Sequence, residues 1–189
     1  MPAVGGAAGN TIVVVGDSLS SGYGLAAEQS WVAMLDNRLE EEGYGYEVVN
    51  ASIAGDTTAG GLARLPRLLE TYSPAWVILE LGGNDGLRGQ PVETLKGNLA
   101  QMIELSLEHG ASVLLAGMQI PPNYGGAYTR ALANVYPELA ARYDVPLVPF
   151  LLDGVALNSE LMQSDGIHPN AAGQAIILEN VWDVLGALL

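Results

Sequence analysis

The chain has 189 residues, of which 49% are hydrophobic, and its 21 acidic against 7 basic residues give a formal net charge of -14. Such a charge repels nucleic acids and anionic membrane surfaces, so neither is an expected partner. The absence of cysteine excludes disulfides, thiol catalysis and thiolate metal sites.

The first ten residues are small, rich in Gly and Ala, and show no periodic hydrophobicity. We interpret residues 1–10 as a disordered segment or a remnant of processing or cloning, and we expect a single domain over residues 11–189. Residues 1–10 also lack the basic and apolar regions of a signal peptide. No apolar run approaches the roughly 18 residues that a membrane-spanning helix needs, so we expect no stable membrane insertion.

Five apolar, β-branched segments recur along the chain and predict strands at residues 11–15, 46–50, 76–81, 112–117 and 145–148. Segments with helical spacing separate them. The first has apolar residues at i, i+3, i+4 and i+8, namely Trp31, Met34, Leu35 and Leu39. The stop residues predict five helices: from Trp31 to Gly43, from Leu62 to Pro74, from Pro91 to Gly110, from Ala131 to Tyr143 and from Ala171 to Leu188.

This alternation of strands and helices predicts an α/β fold. Right-handed crossovers would arrange the elements as a doubly wound, flavodoxin-like sandwich of three layers, α/β/α, around a five-stranded parallel sheet. Runs that are apolar on successive residues, such as residues 12–15 and 77–79, indicate strands that are covered on both faces. In such folds the site lies at the carboxyl ends of the strands.

The first strand ends in a glycine that is followed by an acid and a serine. The apolar run 12–15 stops at Gly16, and Asp17 and Ser18 come next. Ser18 is the candidate nucleophile. A serine is too weak a nucleophile at neutral pH unless a base, an orienting carboxylate and oxyanion donors accompany it.

His168 is the candidate base, because it is one of only two histidines and lies in a turn just before the last predicted helix. It would take the Ser18 proton and return it to the leaving group. Asp165, three residues earlier on the same turn, would fix the imidazole tautomer and stabilise the imidazolium.

A tetrahedral oxyanion needs preorganised donors. Three are available after the strands: the backbone N-H groups of Ser18 and Gly55, and the side-chain amide of Asn84. Gly82 and Gly83 precede Asn84, and we expect them to leave space for the substrate, since a Cβ there would crowd the oxyanion site.

These residues carry a family resemblance. The sequence Gly-Asp-Ser-Leu-Ser at 16–20, Gly55, Gly-Asn-Asp at 83–85, and Asp165 followed by His168 resemble, in order and spacing, the four blocks of the GDSL, or SGNH, hydrolase family. Residues 50–61 and 81–89 are most similar to its bacterial branch of thioesterase I / protease I / lysophospholipase enzymes and arylesterases. The resemblance extends from about Thr11 to the end of the chain.

The resemblance implies the SGNH hydrolase fold, with Ser18, His168 and Asp165 as catalytic residues and Gly55 and Asn84 in the oxyanion hole. It implies hydrolysis of acyl esters and thioesters without a metal or other cofactor. It also implies a periplasmic or secreted enzyme exported by a signal peptide, which this sequence does not show.

The acyl groove is expected at two loops on the same sheet edge, residues 87–89 and 117–126, with Leu87, Ile120 and Tyr124 as candidates. By resemblance, the loop after Asn84 is mobile and responds to substrate, and Ile120 lies where the acyl chain passes. Ordinary loop packing would explain the same residues. Acyl length and leaving group stay open, although we expect broad specificity, and nothing demands more than a monomer.

Two other functions compete with the esterase. Asp17, Asp56 and Asp85 beside glycines suggest a metallophosphoesterase, but hydrogen bonds to local N-H groups explain them better and we expect no metal site. Residues 22–27 match the G-x-G-x-x-A pattern of a dinucleotide-binding module. That pattern should begin directly at the strand end, with an acid closing the second strand, and that strand closes on Asn50.

Overall fold

A five-stranded parallel sheet forms the centre of the molecule in the computed structural model, which describes residues 9–189. The strands lie in the order β2-β1-β3-β4-β5. Their bounds are β1, Thr11–Gly16; β2, Glu47–Asn50; β3, Trp76–Glu80; β4, Ser112–Ala116; and β5, Leu147–Val148. This order is that of a doubly wound sheet, the predicted fold class, and the chain reverses direction across the sheet after β1 and β2.

The strand β1 is covered on both faces, as its unbroken apolar run predicts. Val13 is opposite Val49 of β2 and Val77 of β3, and residues 12–15 are completely buried. β-Branched side chains fill a pleated surface that has no solvent-facing side, which is why this strand does not alternate with polar residues.

Within residues 9–189, six α-helices cover the sheet: α1, Trp31–Glu41; α2, Thr58–Tyr72; α3, Gly83–Leu87; α4, Val92–Glu108; α5, Gly126–Tyr143; and α6, Ala171–Leu185. One layer contains α1 and α6 in mutual contact, and the other contains α2, α4 and α5. Polar side chains cap three of the helix starts, since Ser30, Thr57 and Asn170 each accept a hydrogen bond from a first-turn N-H group. The three-layer prediction is confirmed.

Several element boundaries differ from the predictions. The helix predicted from Leu62 begins at Thr58, because Thr57 caps it and the helix runs through two glycines. The helix predicted from Ala131 begins at Gly126, directly after Gly125 at φ +97°. The short helix α3 was not predicted, because five residues containing two glycines show no apolar period. Strand β5 has only two of the four predicted residues.

The amino-terminal segment was predicted to lie outside the fold. Of that segment, residues 1–8 lie outside the described residues. Gly9 donates a hydrogen bond to the Ser73 carbonyl at 3.2 Å, and the Asn10 carbonyl accepts one from Glu47 at 2.8 Å. No helix within residues 9–189 is both long enough and apolar enough to cross a bilayer.

The carboxyl ends of β1 and β3 are neighbours where the strand order reverses. Gly16 at the end of β1 is opposite Glu80 at the end of β3. The chain leaves β1 toward the α1 layer and leaves β3 toward the α4 layer, so a crevice opens between the two loops. The predicted serine block, residues 16–20, and the predicted asparagine block, residues 83–85, lie at these two strand ends.

Candidate active site

Three of the predicted site residues form a continuous line of contacts. Nε2 of His168 lies 2.9 Å from Oγ of Ser18, and Nδ1 of His168 lies 2.7 Å from Oδ2 of Asp165. Ser18 comes from the turn after β1, whereas the other two residues come from the loop before α6. A serine hydroxyl at hydrogen-bond distance from an imidazole that also contacts a carboxylate can act as a nucleophile.

The Asp165 carboxylate is fixed by its own turn. Oδ1 accepts hydrogen bonds from the backbone N-H groups of Ile167 at 2.9 Å and His168 at 3.0 Å. The hydrogen bond with the His168 side chain, followed by these two backbone bonds, lowers the pKa of Asp165 to about 2. Asp165 is therefore ionised at neutral pH and can stabilise a positive charge on His168.

A buried glutamate forms hydrogen bonds with the serine block. Glu80 is completely buried, and its Oε2 accepts a hydrogen bond from the Asp17 amide at 3.1 Å and lies 2.5 Å from the Ser20 hydroxyl oxygen. Its Oε1 is buried without a hydrogen-bond partner. Burial, reinforced by the nearby Asp17 carboxylate, raises the pKa of Glu80 well above its ordinary value, which favours the neutral acid.

Asp17 connects the serine block to Asn84. Its Oδ1 accepts a hydrogen bond from the Leu19 amide at 3.0 Å, and its Oδ2 accepts one from Nδ2 of Asn84 at 2.9 Å. Burial raises the pKa of Asp17 to about 6, although these two hydrogen bonds favour its ionised form. An amide nitrogen carries two hydrogens, so Asn84 keeps a second N-H group for another acceptor.

Helix α3 positions Asn84, and its neighbour Asp85 anchors that helix. Asp85 is 3% exposed, and its two oxygens accept hydrogen bonds from the Thr58 amide at 2.9 Å and the Thr58 hydroxyl at 2.6 Å. The same hydroxyl accepts a bond from Asn98 of α4 at 2.9 Å. Asn84 is thus carried on a helix that is fixed to both α2 and α4.

The loop that carries Gly55 is bonded to the end of β1 and to the residue after α3. Gly55 has a φ of +79°, a left-handed conformation that favours glycine. Ile53 donates a hydrogen bond to the Gly16 carbonyl at 3.0 Å, and Arg88, just past α3, donates one to the Gly55 carbonyl at 2.8 Å. Gly55 is therefore held between the serine block and the asparagine helix.

The prediction that Gly82 and Gly83 leave space for a substrate is wrong, because protein atoms occupy the positions that a side chain would need. A Cβ on Gly82 would lie 2.2 Å from the Tyr136 hydroxyl, and Gly82 has a φ of +116°. A Cβ on Gly83 would lie 3.1 Å from Cε of Met118. Both glycines allow α3 to approach the core closely.

The three acyl-groove candidates have different environments. Leu87 is exposed, but it is the last residue of α3 rather than part of a loop. Ile120 is buried and packs so close to Gly86 that a Cβ there would lie 2.8 Å from its Cγ2. Tyr124 is exposed in a 3-10 turn at Pro122–Tyr124. Leu87 and Ile120 are thus on adjacent elements at the edge that carries Ser18.

The aspartates that suggested a metal site are accounted for by hydrogen bonds. Asp17 and Asp56 accept bonds from local N-H groups, as expected, and Asp56 also pairs with Arg64 at 2.8 Å. Asp85 differs, because its partner Thr58 is on another helix. Within residues 9–189, no group of three or more His, Cys, Asp or Glu side chains could hold a metal ion.

Three residues beside the site were not predicted from the sequence. Glu80 closes an apolar strand, and a charged residue in such a run is the feature that could have identified it. Tyr23 packs against His168, with ring centroids 4.5 Å apart. Gln163 contacts the turns that carry both rings, and no local pattern marks this glutamine.

Comparison with known families and proteins agrees with this geometry. Residues 14–176 match the GDSL-like lipase/acylhydrolase family. The chain is 55% identical to the esterase TesA of Pseudomonas aeruginosa, over 97% of this chain and 91% of that protein. It is 45% identical to an arylesterase of Vibrio mimicus, over 92% of this chain and 87% of that protein. It is 44% identical to thioesterase 1/protease 1/lysophospholipase L1 of Escherichia coli, over 92% of this chain and 82% of that protein.

Solved structures give the same relationship. The crystal structure of TesA matches with a TM-score of 0.92, covering 95% of this chain and 99% of that one. A psychrotrophic esterase EstA from Pseudoalteromonas sp., whose structure is described as inhibited by monoethylphosphonate, matches with a TM-score of 0.90 at 38% identity, covering 95% and 98% of the two chains. The observed sheet and its flanking helices are the fold of these esterases.

Proposed function

The chain belongs to the GDSL-like lipase/acylhydrolase family, and from this premise we propose that its single domain hydrolyses carboxylic esters and thioesters through Ser18, His168 and Asp165. The main observation behind this proposal is that the His168 imidazole lies 2.7 Å from Oδ2 of Asp165 through Nδ1 and 2.9 Å from Oγ of Ser18 through Nε2. The relatives named esterase, arylesterase and thioesterase support this ester-hydrolase activity rather than a metallophosphoesterase or a dinucleotide-binding module.

The reaction proceeds in two steps, acylation of Ser18 and hydrolysis of the acyl-serine. Ser18 attacks the acyl carbon while its proton passes to Nε2 of His168, and the imidazolium then protonates the leaving oxygen or sulfur as that bond breaks. The acyl group remains on Ser18. A water molecule then gives a proton to His168 and attacks the acyl-serine, and the imidazolium returns that proton to Oγ of Ser18 as the acyl–oxygen bond breaks and the acid leaves. Asp165 stays ionised and stabilises the imidazolium in both steps.

The oxyanion that forms in each step is stabilised by the backbone N-H groups of Ser18 and Gly55 and by Nδ2 of Asn84. Two observations support this assignment. Asn84 is fixed by its hydrogen bond to Asp17, so its free N-H group is preorganised. Gly55 has a left-handed conformation, and its carbonyl accepts a hydrogen bond from Arg88. No cofactor takes part in this scheme.

The substrate class follows from the named activities of the relatives. Aryl and alkyl esters, acyl thioesters and lysophospholipids all require the same triad, and we expect broad acyl specificity with Leu87, Ile120 and Tyr124 bordering the acyl groove. Specificity constants for a short aryl ester and a long acyl thioester should differ by less than about a thousandfold. We further propose a monomeric enzyme that acts in the periplasm or outside the cell.

The deciding experiment compares wild type with Ser18→Ala on para-nitrophenyl acetate, butyrate and octanoate and on palmitoyl-coenzyme A. Wild type should hydrolyse these substrates, and the variant should lose about three orders of magnitude or more in kcat. A fluorophosphonate probe should label Ser18 in wild type only, because such reagents react with activated serines. An inactive wild type, or a Ser18→Ala variant that keeps its activity, would overturn the proposal.

A further inference from the structure

An exposed aromatic side chain lies directly against the imidazole of the triad. The ring centroids of Tyr23 and His168 are 4.5 Å apart, and the ring planes are tilted by 40°. Although one side of Tyr23 packs on the imidazole, 51% of the residue is exposed. An aromatic ring with a free surface beside a reacting group is available to bind a flat ligand.

Tyr23 lies in a tight turn between two glycines. Gly22 and Gly24 flank it, both at a φ of +74°, and Leu25 donates a hydrogen bond to the Gly22 carbonyl at 3.0 Å. L-residues with side chains rarely adopt this backbone conformation, so the two glycines permit the turn. The Gly-Tyr-Gly pattern that resembled a dinucleotide fingerprint is therefore a turn beside the active site.

Gln163 fixes the distance between this turn and the histidine. Its Nε2 donates hydrogen bonds to the Tyr23 carbonyl at 2.8 Å and to the Pro169 carbonyl at 3.0 Å. Its backbone N-H donates to the His168 carbonyl at 2.7 Å. One side chain thus joins the tyrosine turn to the histidine loop, which fixes the backbone of Tyr23 relative to His168.

The position of Tyr23 relates it to one part of the substrate. Nε2 of His168 must reach the leaving-group atom to protonate it, so that atom arrives beside the imidazole that Tyr23 contacts. We infer that Tyr23 forms a leaving-group subsite that favours aromatic leaving groups over saturated ones of the same size. This inference rests on the proposed function and adds a specificity residue to it.

The test compares kcat/KM for benzyl acetate and cyclohexylmethyl acetate. Both leaving groups are primary alcohols of similar size and basicity, and both esters form the same acetyl-enzyme, so the ratio reports recognition of the ring during acylation. Wild type should favour benzyl acetate by about two- to tenfold, the range expected for one aromatic pair. Tyr23→Leu should bring the ratio to about one, while Tyr23→Phe should keep it.

Tyr72→Leu is the matched control, because Tyr72 is a 39% exposed tyrosine at the last position of α2, at the opposite edge of the sheet from Ser18. Its ratio should equal that of wild type. Tyr23→Trp gives a second measurement if the leucine variant does not fold, and a tryptophan should keep or raise the ratio.

The inference fails if wild type shows no preference, if Tyr23→Leu keeps the preference, or if Tyr23→Trp lowers it. If Tyr23→Leu lowers kcat/KM equally for both esters and leaves their ratio unchanged, Tyr23 only positions His168. That result would also overturn the proposed subsite. All these outcomes leave the proposed function intact. A wild type that hydrolyses neither acetate nor the para-nitrophenyl esters would overturn both.

Discussion

Asp17 and Asn84 are 67 positions apart in the sequence, yet Oδ2 of Asp17 accepts a hydrogen bond from Nδ2 of Asn84 at 2.9 Å. This bond joins the residue before the candidate nucleophile to the candidate oxyanion donor, across the crevice between β1 and β3. The bond fixes the positions of the two blocks relative to each other, so substitutions on either side should affect the same chemical step.

Asn84→Ala removes a donor that stabilises charge mainly in the transition state. We expect kcat to fall by about 10² to 10³, with a much smaller change in KM. Steady-state kinetics on para-nitrophenyl butyrate measure both constants. Asn37→Ala, at an exposed position of α1, is the control and should behave like wild type. A variant with unchanged kcat would remove Asn84 from the oxyanion hole.

Asp165→Asn tests the orienting carboxylate. The amide cannot stabilise the imidazolium as an ion does, so kcat should fall by up to about 10⁴. In wild type the pKa of Asp165 is lowered from 3.8 to about 2, so the ionised carboxylate stabilises the fold above pH 4 and this contribution is lost as pH falls toward 2. Acid unfolding followed by circular dichroism should show a shallower decline in the variant, and an identical decline would contradict this account.

Asp17 should have the opposite effect on stability. Its pKa rises from 3.8 to about 6 in the folded protein, so the folded state binds more protons than the unfolded state between these values. The free energy of unfolding should therefore fall as pH rises from 4 through 6. Glu80, whose pKa is raised well above its ordinary value, adds to the decline at higher pH. Urea unfolding at pH 4, 5, 6 and 7 measures the slope.

Asp17→Asn should flatten that slope, because it removes the charge that burial disfavours. The other charged or titratable groups that interact with Asp17 are His168, Asp56 and Glu80, and they remain in this variant. Asp153→Asn, an exposed position between β5 and α6, is the control and should leave the slope unchanged. A slope in Asp17→Asn as steep as that of wild type would assign the decline to another group.

Glu80→Gln and Glu80→Ala separate the two roles of the buried glutamate. Glutamine keeps an acceptor for the Asp17 amide and the Ser20 hydroxyl, so the folded structure and activity should persist. Alanine leaves a cavity and two groups without a partner, which should cost about 2 to 5 kcal/mol of unfolding free energy. Equal stabilities of the two variants, measured by urea unfolding at pH 7, would contradict the hydrogen-bonding role.

Gly82→Ala should destabilise the protein by about 2 kcal/mol or more, because its φ of +116° and the Tyr136 hydroxyl both oppose a Cβ. Adding Tyr136→Phe removes the hydroxyl, so the double variant should lose less unfolding free energy than the two single variants lose together. Gly97→Ala is the control. It lies inside α4 with open space around it, and it should stabilise the helix by up to about 1 kcal/mol.

The sequence by itself determined the fold class and the main residues of the candidate site. Unbroken apolar runs identify strands that are buried on both faces, and the polar blocks at 16–20, 55, 84 and 165–168 follow strand ends or precede the last helix. Because the carboxyl ends of parallel strands share one edge, these blocks must meet there. The contacts among Ser18, His168 and Asp165 could therefore be predicted without coordinates.

Only the tertiary structure decided which neighbours act on those residues. Helix α3 has no apolar period, and it forms because Asp85 anchors it to Thr58 of α2. The buried Glu80 and the pairing of Tyr23 with His168 depend on contacts over 63 and 140 positions, the second through Gln163. Local propensity carries no information about partners so far away, because those hydrogen bonds exist only after the strands and loops have come together.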